Sequence, residues 1–361
     1  MRVIISGGGT GGHIFPAIAI AKTIQQQIPD AEILFVGAEG KMEMEKVPAA
    51  GYKIIGLPIV GIQRRLTWKN LVVPFKVISS LWKAKKIIRE FKPDIAIGVG
   101  GYASGPLLRA ATSAGVKTLI QEQNSYPGIT NKILSKKVDR ICVAYEGLDK
   151  FFPKEKIIIT GNPVRPEVTR LDGKRDRALE HFGLKSDKKT LLVIGGSLGA
   201  RTINIAVKRW AETWTAQGIQ VLWQTGKTYF STAKEFAEGK EGVVVYDFIR
   251  EMDYAYAVAD VIVSRAGAMS ISELCLVRKP SVFIPSPNVS EDHQTKNAMA
   301  LVQRNAAILV KDDSAQVELG NVVSSLFRDE QKLTQLSVNI AGMAQVDSAE
   351  RIVAEVMNLV R

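Results

Sequence analysis

Two doubly wound α/β domains with parallel sheets are the fold class that this sequence predicts, and three observations predict it. Short apolar runs alternate with helical patterns along the chain. The opening unit, an apolar run Val3-Ile4-Ile5 feeding the glycine-rich turn Gly7-Gly8-Gly9-Thr10-Gly11-Gly12 and then a helix, recurs half a chain later at Thr190-Leu191-Leu192-Val193-Ile194-Gly195-Gly196-Ser197-Leu198-Gly199-Ala200. A length of 361 residues also exceeds what a single hydrophobic core usually organises. The architecture expected is two Rossmann-like domains facing one another across a cleft.

The opening turn satisfies G-x-G-x-x-G through Gly7, Gly9 and Gly12. A strand that feeds such a turn at a helix N-terminus favours an anion, because bare backbone approaches closely and the helix dipole adds to the unpaired N–H groups. His13 falls in the first turn of that helix. The dipole disfavours imidazolium there, so a neutral ring able to accept a proton is expected; a histidine that only bonds backbone is the alternative.

Ile33–Val36, Ile95–Val99, Thr118–Ile120 and Arg140–Val143 read as buried parallel strands. The second is followed by Gly100-Gly101-Tyr102-Ala103-Ser104-Gly105-Pro106, another glycine-rich turn on the same sheet edge, so that two turns are available for two phosphates. Two prolines within Gly161-Asn162-Pro163-Val164-Arg165-Pro166 break the pattern and read as a linker. Beyond it, Gln220–Trp223, Val243–Tyr246, Val261–Val263 and Ser281–Ile284 are the expected strands. Ser264 to Glu273 then places small residues around a helix start with a carboxylate one to two turns in. Such a carboxylate suits the two hydroxyls of a ribose, whereas plain capping and surface roles for Ser272 and Glu273 are the alternative. Glu291-Asp292-His293-Gln294-Thr295-Lys296-Asn297-Ala298 similarly gathers hydrogen-bonding side chains where a strand should end.

Composition bounds the class. Hydrophobic residues at 46% and charged residues at 23% are ordinary for a globular protein. The two cysteines, Cys142 and Cys275, form neither a disulfide framework nor a metal-like spacing, which fits a reducing cytoplasm. The chain opens on a strand, has no signal-peptide pattern and has no apolar run of about 18 residues, so a protein that stays inside the cell without spanning a membrane is expected. Charge is uneven: residues 1–160 hold 23 Lys and Arg against 12 Asp and Glu, a net of +11, while the rest holds 25 against 24. A basic half points to an anionic partner, and the absence of aromatic platforms or a base-reading helix among these cations argues against nucleic acid.

Leu71 to Phe91, read as a helix, puts Val73, Val77, Leu81, Ala84, Ile88 and Phe91 on one side, as a core requires. Leu71, Phe75, Ile78 and Trp82 form a second strip, with Lys85, Lys86 and Arg89 close by. An apolar strip rimmed by cations suits an anionic membrane surface. A covering loop or partner, or a helix that starts later at Pro74, is the alternative.

The turns Gly8 to Pro16 and Gly100 to Pro106, with Glu122-Gln123-Asn124, Gly161 to Arg165, Gly195 to Ala200, Arg265 to Glu273 and Asp292 to Ala298, together resemble the MurG family of peptidoglycan glycosyltransferases. The match is in order and runs from the first strand to about residue 300. The resemblance implies a GT-B fold: an N-terminal domain over 1–162 that meets acceptor and membrane, a UDP-sugar domain over 163–340, and a C-terminal helix within 341–361 crossing back to the first domain. It implies inverting transfer of N-acetylglucosamine from UDP-N-acetylglucosamine to the C4 hydroxyl of the muramyl sugar of lipid I, giving lipid II, at the cytoplasmic face of the cell membrane as a peripheral protein. By the same resemblance Glu273 holds the ribose, Ser197 and Arg165 the diphosphate, and the backbone near Phe248 and Ile249 the uracil. Ala268, Met269, Ser272, His293 and Gln294 line the donor pocket, Asn124 reaches the sugar, and Thr10, Gly11 and Gly12 also meet substrate. Gly9, Tyr102, Ser104 and Gly105 are the implied acceptor contacts. This chain has His293 where another branch of the family often has Gln.

The sequence contains no Asp-x-Asp pair of the kind that holds Mg²⁺ in many sugar transferases, so neither a metal nor another cofactor is expected, and helix dipoles, Arg165 and hydroxyls would stabilise the leaving UDP. Two residues are candidates for the general base, His13 first and Glu122 second. Rival readings are a nicotinamide oxidoreductase using Glu39, an epimerase or diacylglycerol transferase of the same fold, and a non-enzymatic basic module. The duplicated turn at Gly195 argues against the first, and fold alone does not separate the second.

Overall fold

The computed structural model describes residues 1–59, 73–164, 166–196 and 198–361. It divides into two compact units, Met1–Val164 with Val346–Arg361, and Arg165–Gln345.

The first unit runs β1 (Arg2–Ser6), α1 (Gly11–Gln27), β2 (Glu32–Ala38), α2 (Glu43–Ala49), β3 (Lys53–Leu57), α3 (Val73–Phe91), β4 (Ile95–Gly98), α4 (Ser104–Ser113), β5 (Lys117–Glu122), α5 (Ile129–Leu134), β6 (Arg140–Val143) and β7 (Ile157–Ile159). Its strands form one parallel sheet in the order β3-β2-β1-β4-β5-β6-β7. Side chains alternate across it as strand geometry demands. Val3 and Ile5 pack under α1 with Ile14, Ala17 and Ile20, while Ile4 faces Ala84, Ile88, Leu107 and Ala111 of α3 and α4. The strand order reverses between β1 and β4, so the turns after these two strands lie side by side at the carboxyl edge, where open α/β sheets bind ligands.

α3 begins at Val73 and takes Pro74 into its first turn, where a missing N–H costs nothing. Ala84, Ile87 and Ile88 are buried against the sheet, whereas Phe75, Ile78 and Trp82 are 73%, 54% and 73% exposed. Leu71 lies outside the described residues.

The second unit runs α6 (Pro166–Thr169), α7 (Arg175–Phe182), β8 (Lys189–Ile194), α8 (Arg201–Ala216), β9 (Ile219–Gln224), α9 (Lys227–Ala237), β10 (Val243–Tyr246), α10 (Met252–Val258), β11 (Val261–Ser264), α11 (Ala268–Leu276), β12 (Ser281–Phe283), α12 (His293–Val302), β13 (Ile308–Leu309), α13 (Ala315–Arg328) and α14 (Glu330–Ala341). Its parallel sheet has the order β10-β9-β8-β11-β12-β13, which reverses between β8 and β11. Two buried tryptophans anchor its core with their polar edges satisfied: Trp223 Nε1 donates to Asn204 Oδ1 at 3.0 Å, and Trp214 Nε1 to the Gly320 carbonyl at 3.3 Å.

The last helix, α15 (Ser348–Val360), belongs to the first unit. Ile352, Val353 and Val356 are fully buried in the cluster that holds Val3, Ile5 and the inner face of α1, and Glu355 pairs with Arg140 of β6 at 3.2 Å. Among the described residues, no helix is long and apolar enough to cross a membrane.

Candidate active site

In the first unit the site is built on three successive carboxyl-edge turns. The first enters α1 through Gly9, which is left-handed at φ +84°, and Thr10, whose side chain makes no cap bond. Gly9, Thr10 and Gly12 are exposed, and Gly11 and His13 are half-buried. The His13 ring is oriented by its Nδ1, which lies 3.0 Å from the Gly8 carbonyl oxygen and 3.4 Å from Thr10 Oγ1. A carbonyl only accepts, so the proton of the neutral ring belongs on Nδ1 and the lone pair on Nε2.

The second turn packs against the first. Gly100 and Gly101 have φ of +96° and +87°, and a Cβ on Gly100 would fall 2.8 Å from His13 Nε2. One on Gly101 would fall 2.4 Å from the Gly8 carbonyl oxygen. These glycines therefore permit the approach of β4's turn to the histidine, a closer reason for their presence than a second phosphate. Gly101→Ala is expected to lower stability by about 1 to 2 kcal/mol from the left-handed backbone alone, and by more if the turns separate. Chemical denaturation checks this, and an unchanged midpoint would show that the turns need not touch. Tyr102 is exposed and Gly105 half-buried at the same edge. Ser104 corrects an expectation: it is fully buried, and its one hydroxyl proton is shared between the carbonyls of Gly100 at 2.8 Å and Ser6 at 3.0 Å. It braces the two turns and does not face an acceptor.

The third turn follows β5 and hangs on Glu122, which is 2% exposed. Its Oε1 accepts from the Asn124 backbone N–H at 3.0 Å and from Asn124 Nδ2 at 3.1 Å. Its Oε2 accepts from the Gly128 N–H at 3.1 Å and from Asn131 Nδ2 at 2.8 Å. Four donors on one shielded carboxylate leave poor access for an incoming hydroxyl, so of the two candidate bases the geometry favours His13. Glu122 instead shapes the turn that presents half-buried Asn124. Asn131 was not singled out from the sequence, because an asparagine inside a short helix carries no distinguishing pattern. Buried amides extend the support, with Gln123 Nε2 donating to the Val99 carbonyl at 2.9 Å and Gln121 Nε2 to Asn162 Oδ1 at 2.9 Å.

In the second unit the corresponding edge carries the turn after β8, the start of α11 and the start of α12. Ser197 and Arg165 lie outside the described residues. Glu273, in the second turn of α11, is half-buried and its Oε2 accepts from Tyr256 Oη at 2.7 Å, which fixes the carboxylate's direction. Half-buried Ser272 donates its hydroxyl back to the Ala268 carbonyl at 3.0 Å, a bond within the helix. Ala268 is buried and Met269 half-buried at the head of the helix.

The Phe248 N–H is taken by Asp247 Oδ1 at 2.7 Å, and the Ile249 N–H by Gln224 Oε1 at 2.9 Å. Carbonyl acceptance is therefore the contact that this stretch of backbone can still make. Phe248 is exposed and Ile249 buried. Half-buried His293 is the first residue of α12, and Gln294 Oε1 accepts the Ser286 N–H at 2.8 Å. The two preceding residues, Glu291 and Asp292, are left-handed at φ +55° and +52°. Consecutive non-glycine residues in that region cost energy and often mark functional turns.

Cys142 and Cys275 are free and buried, and burial pushes both thiols up to about 12, so neither is a nucleophile.

Comparison with known proteins agrees with this two-unit layout. Residues 3–143 match the glycosyltransferase family 28 N-terminal domain, and residues 190–352 the family 28 C-terminal domain. Proteins named UDP-N-acetylglucosamine–N-acetylmuramyl-(pentapeptide) pyrophosphoryl-undecaprenol N-acetylglucosamine transferase are similar over nearly the whole length. That of Cytophaga hutchinsonii is 58% identical, covering 99% of this chain and 97% of its own. That of Parabacteroides distasonis is 56% identical, covering 99% and 98%. Among solved structures, MurG of Acinetobacter baumannii superposes with a TM-score of 0.80 at 27% identity, covering 99% of each chain. A putative UDP-N-acetylglucosamine 2-epimerase from Listeria monocytogenes gives 0.71 at 11% identity, covering 99% of this chain and 95% of its own, a likeness of fold alone.

Proposed function

The chain belongs to glycosyltransferase family 28, and from that premise we infer that it transfers N-acetylglucosamine from UDP-N-acetylglucosamine to lipid I, the undecaprenyl-diphosphate-linked muramyl peptide, giving lipid II. The observation that carries this reading is the likeness of the whole chain, both units together, to transferases that bear that name. Release of UDP, measured with and without a lipid I analogue, tests it. UDP released equally in both conditions, or in neither, would overturn the reading.

In the reaction we propose, the C4 hydroxyl oxygen of the muramyl sugar attacks the anomeric carbon, the bond from that carbon to the phosphate oxygen breaks, and UDP departs. His13 takes the hydroxyl proton at Nε2, since Nδ1–H is directed at the Gly8 carbonyl. Glu273 accepts from the ribose hydroxyls with a carboxylate already held by Tyr256. Uracil offers one N–H donor at N3, and the carbonyls near Phe248 and Ile249 suit it because both N–H groups there are engaged. His293 and Gln294 stand at the head of α12, near the sugar in this assignment. For Arg165 and Ser197 the diphosphate role rests on motif alone.

We also propose that the protein works as a peripheral protein on the cytoplasmic face of the membrane, resting on anionic lipid through the exposed face of α3. Phe75, Ile78 and Trp82 are apolar and exposed among the described residues, and Lys85, Lys86 and Arg89 are exposed on the same helix. Each basic residue near an anionic surface contributes about 1 kcal/mol. Phe75→Ser with Trp82→Ser is expected to weaken binding to anionic liposomes and to slow turnover of a long-chain acceptor, while turnover of a short-chain soluble acceptor changes little. Equal losses on both acceptors would remove α3 from the docking surface.

A further inference from the structure

Glu43, in the first turn of α2, carries a carboxylate that is only 1% exposed and plays no part in the assignments above. Its Oε1 accepts the Ala38 N–H at 2.9 Å and its Oε2 accepts the Gly9 N–H at 2.8 Å. Space for it is made by two glycines. A Cβ on Gly8 would lie 2.2 Å from Glu43 Oε1, and one on Gly37 would lie 2.5 Å from Glu43 Cγ. Burying a carboxylate is costly unless its oxygens find donors, and here both oxygens find backbone N–H groups. A glutamine would fill the same volume, but its NH₂ would turn a donor toward one of those two N–H groups.

The Gly9 N–H and the Gly8 C=O belong to one peptide group. Because that group is planar and trans, its N–H and C=O point in opposite directions. Glu43 holds the N–H on one side, and the C=O on the other side meets His13 Nδ1 at 3.0 Å. If this peptide flipped, the N–H would face His13, Nδ1 would have to accept, and the ring proton would move to Nε2. The nitrogen assigned as the base would then carry a proton. The bond from Gly9 to a charged acceptor also polarises the peptide and strengthens its carbonyl as an acceptor. A carboxylate already on the Gly9 N–H further excludes a phosphate oxygen from that donor.

We propose that Glu43 is a positioning residue: it fixes the orientation of the Gly8–Gly9 peptide and thereby the His13 tautomer that leaves Nε2 able to accept a proton. The link to catalysis rests on the reading of His13 as the base, but the link to the tautomer does not. The test uses ¹⁵N NMR of the histidine side chains in the full chain, which has three histidines, with His13→Gln to assign the signals. Wild type is expected to show His13 as the Nδ1–H tautomer. In Glu43→Gln the signals should move toward Nε2–H, with kcat at least tenfold lower and the KM for UDP-N-acetylglucosamine within twofold. Should Glu43→Gln not fold, Gly8→Ala, whose Cβ displaces the carboxylate, should give the same spectrum. His13 signals unchanged in the folded variant would overturn the proposal, as would a wild type already in the Nε2–H form. A tautomer change with full activity would uphold Glu43's role and remove His13 as the base.

Discussion

His13→Ala is expected to lower kcat by roughly a hundredfold or more, the lower range of what a well-placed general base contributes. That loss corresponds to about 2.7 kcal/mol of transition-state stabilisation. The expectation rests on a chain of contacts in the first unit: the Gly8 carbonyl directs Nδ1, the ring edge lies against Gly100, and α1 fixes the backbone of residue 13. The donor is assigned to residues of the second unit, so its KM should change little, and the loss should fall on kcat and kcat/KM alike. Steady-state kinetics with both substrates varied checks this. Activity within a few-fold of wild type would leave the proton to water or to another group. Glu122 is then the next variant to make, although its four hydrogen bonds make it a better brace than base.

Glu273→Ala is expected to raise the KM for UDP-N-acetylglucosamine tenfold or more. Hydrogen bonds to a charged group contribute about 1.5 to 3 kcal/mol each, and two are lost with the ribose hydroxyls, where 1.4 kcal/mol already corresponds to tenfold. Alanine also removes the hydrogen bond that the Tyr256 hydroxyl donates to Glu273, so part of the effect will appear as lower stability. Tyr256→Phe separates the two contributions. It keeps the carboxylate but loosens its direction, and should raise KM by less than Glu273→Ala does. An unchanged donor KM in Glu273→Ala, measured in protein that is still folded, would remove the ribose assignment.

The sheet centres were legible because burial on both faces writes them as continuous apolar runs: β1, β4, β8 and β11 stand out, and glycine marks the turns that follow β1, β4 and β8. Of the edges, only β10 was legible, as the run Val243–Tyr246. The other edge strands, β3, β7 and β13, are half-buried or only two to five residues long, and such runs do not rise above their surroundings. Candidate residues divided in the same way. His13 and Glu273 are set by position relative to a helix start, which sequence spacing records. Glu43 and Asn131 act through contacts 34 and 9 residues away, and nothing local distinguishes a glutamate that turns inward from one on a surface. Ser104 shows the reverse error: a hydroxyl beside a predicted site looks available until its burial and its bonds to nearby carbonyls are seen.

The return of α15 to the first unit has a consequence for synthesis. The chain leaves that unit after Val164 and re-enters it at Val346, so the second unit is an uninterrupted stretch inserted into the first. As the polypeptide emerges from the ribosome, the second unit can close while the first still lacks Ile352, Val353 and Val356 over one face of its sheet. At roughly 5 to 20 residues per second, the 192 residues from Arg165 to Val356 keep that face open for on the order of ten to forty seconds. The half that begins first is thus completed last, and a nascent chain stalled before Ile352 would expose an apolar surface to the cell's folding machinery.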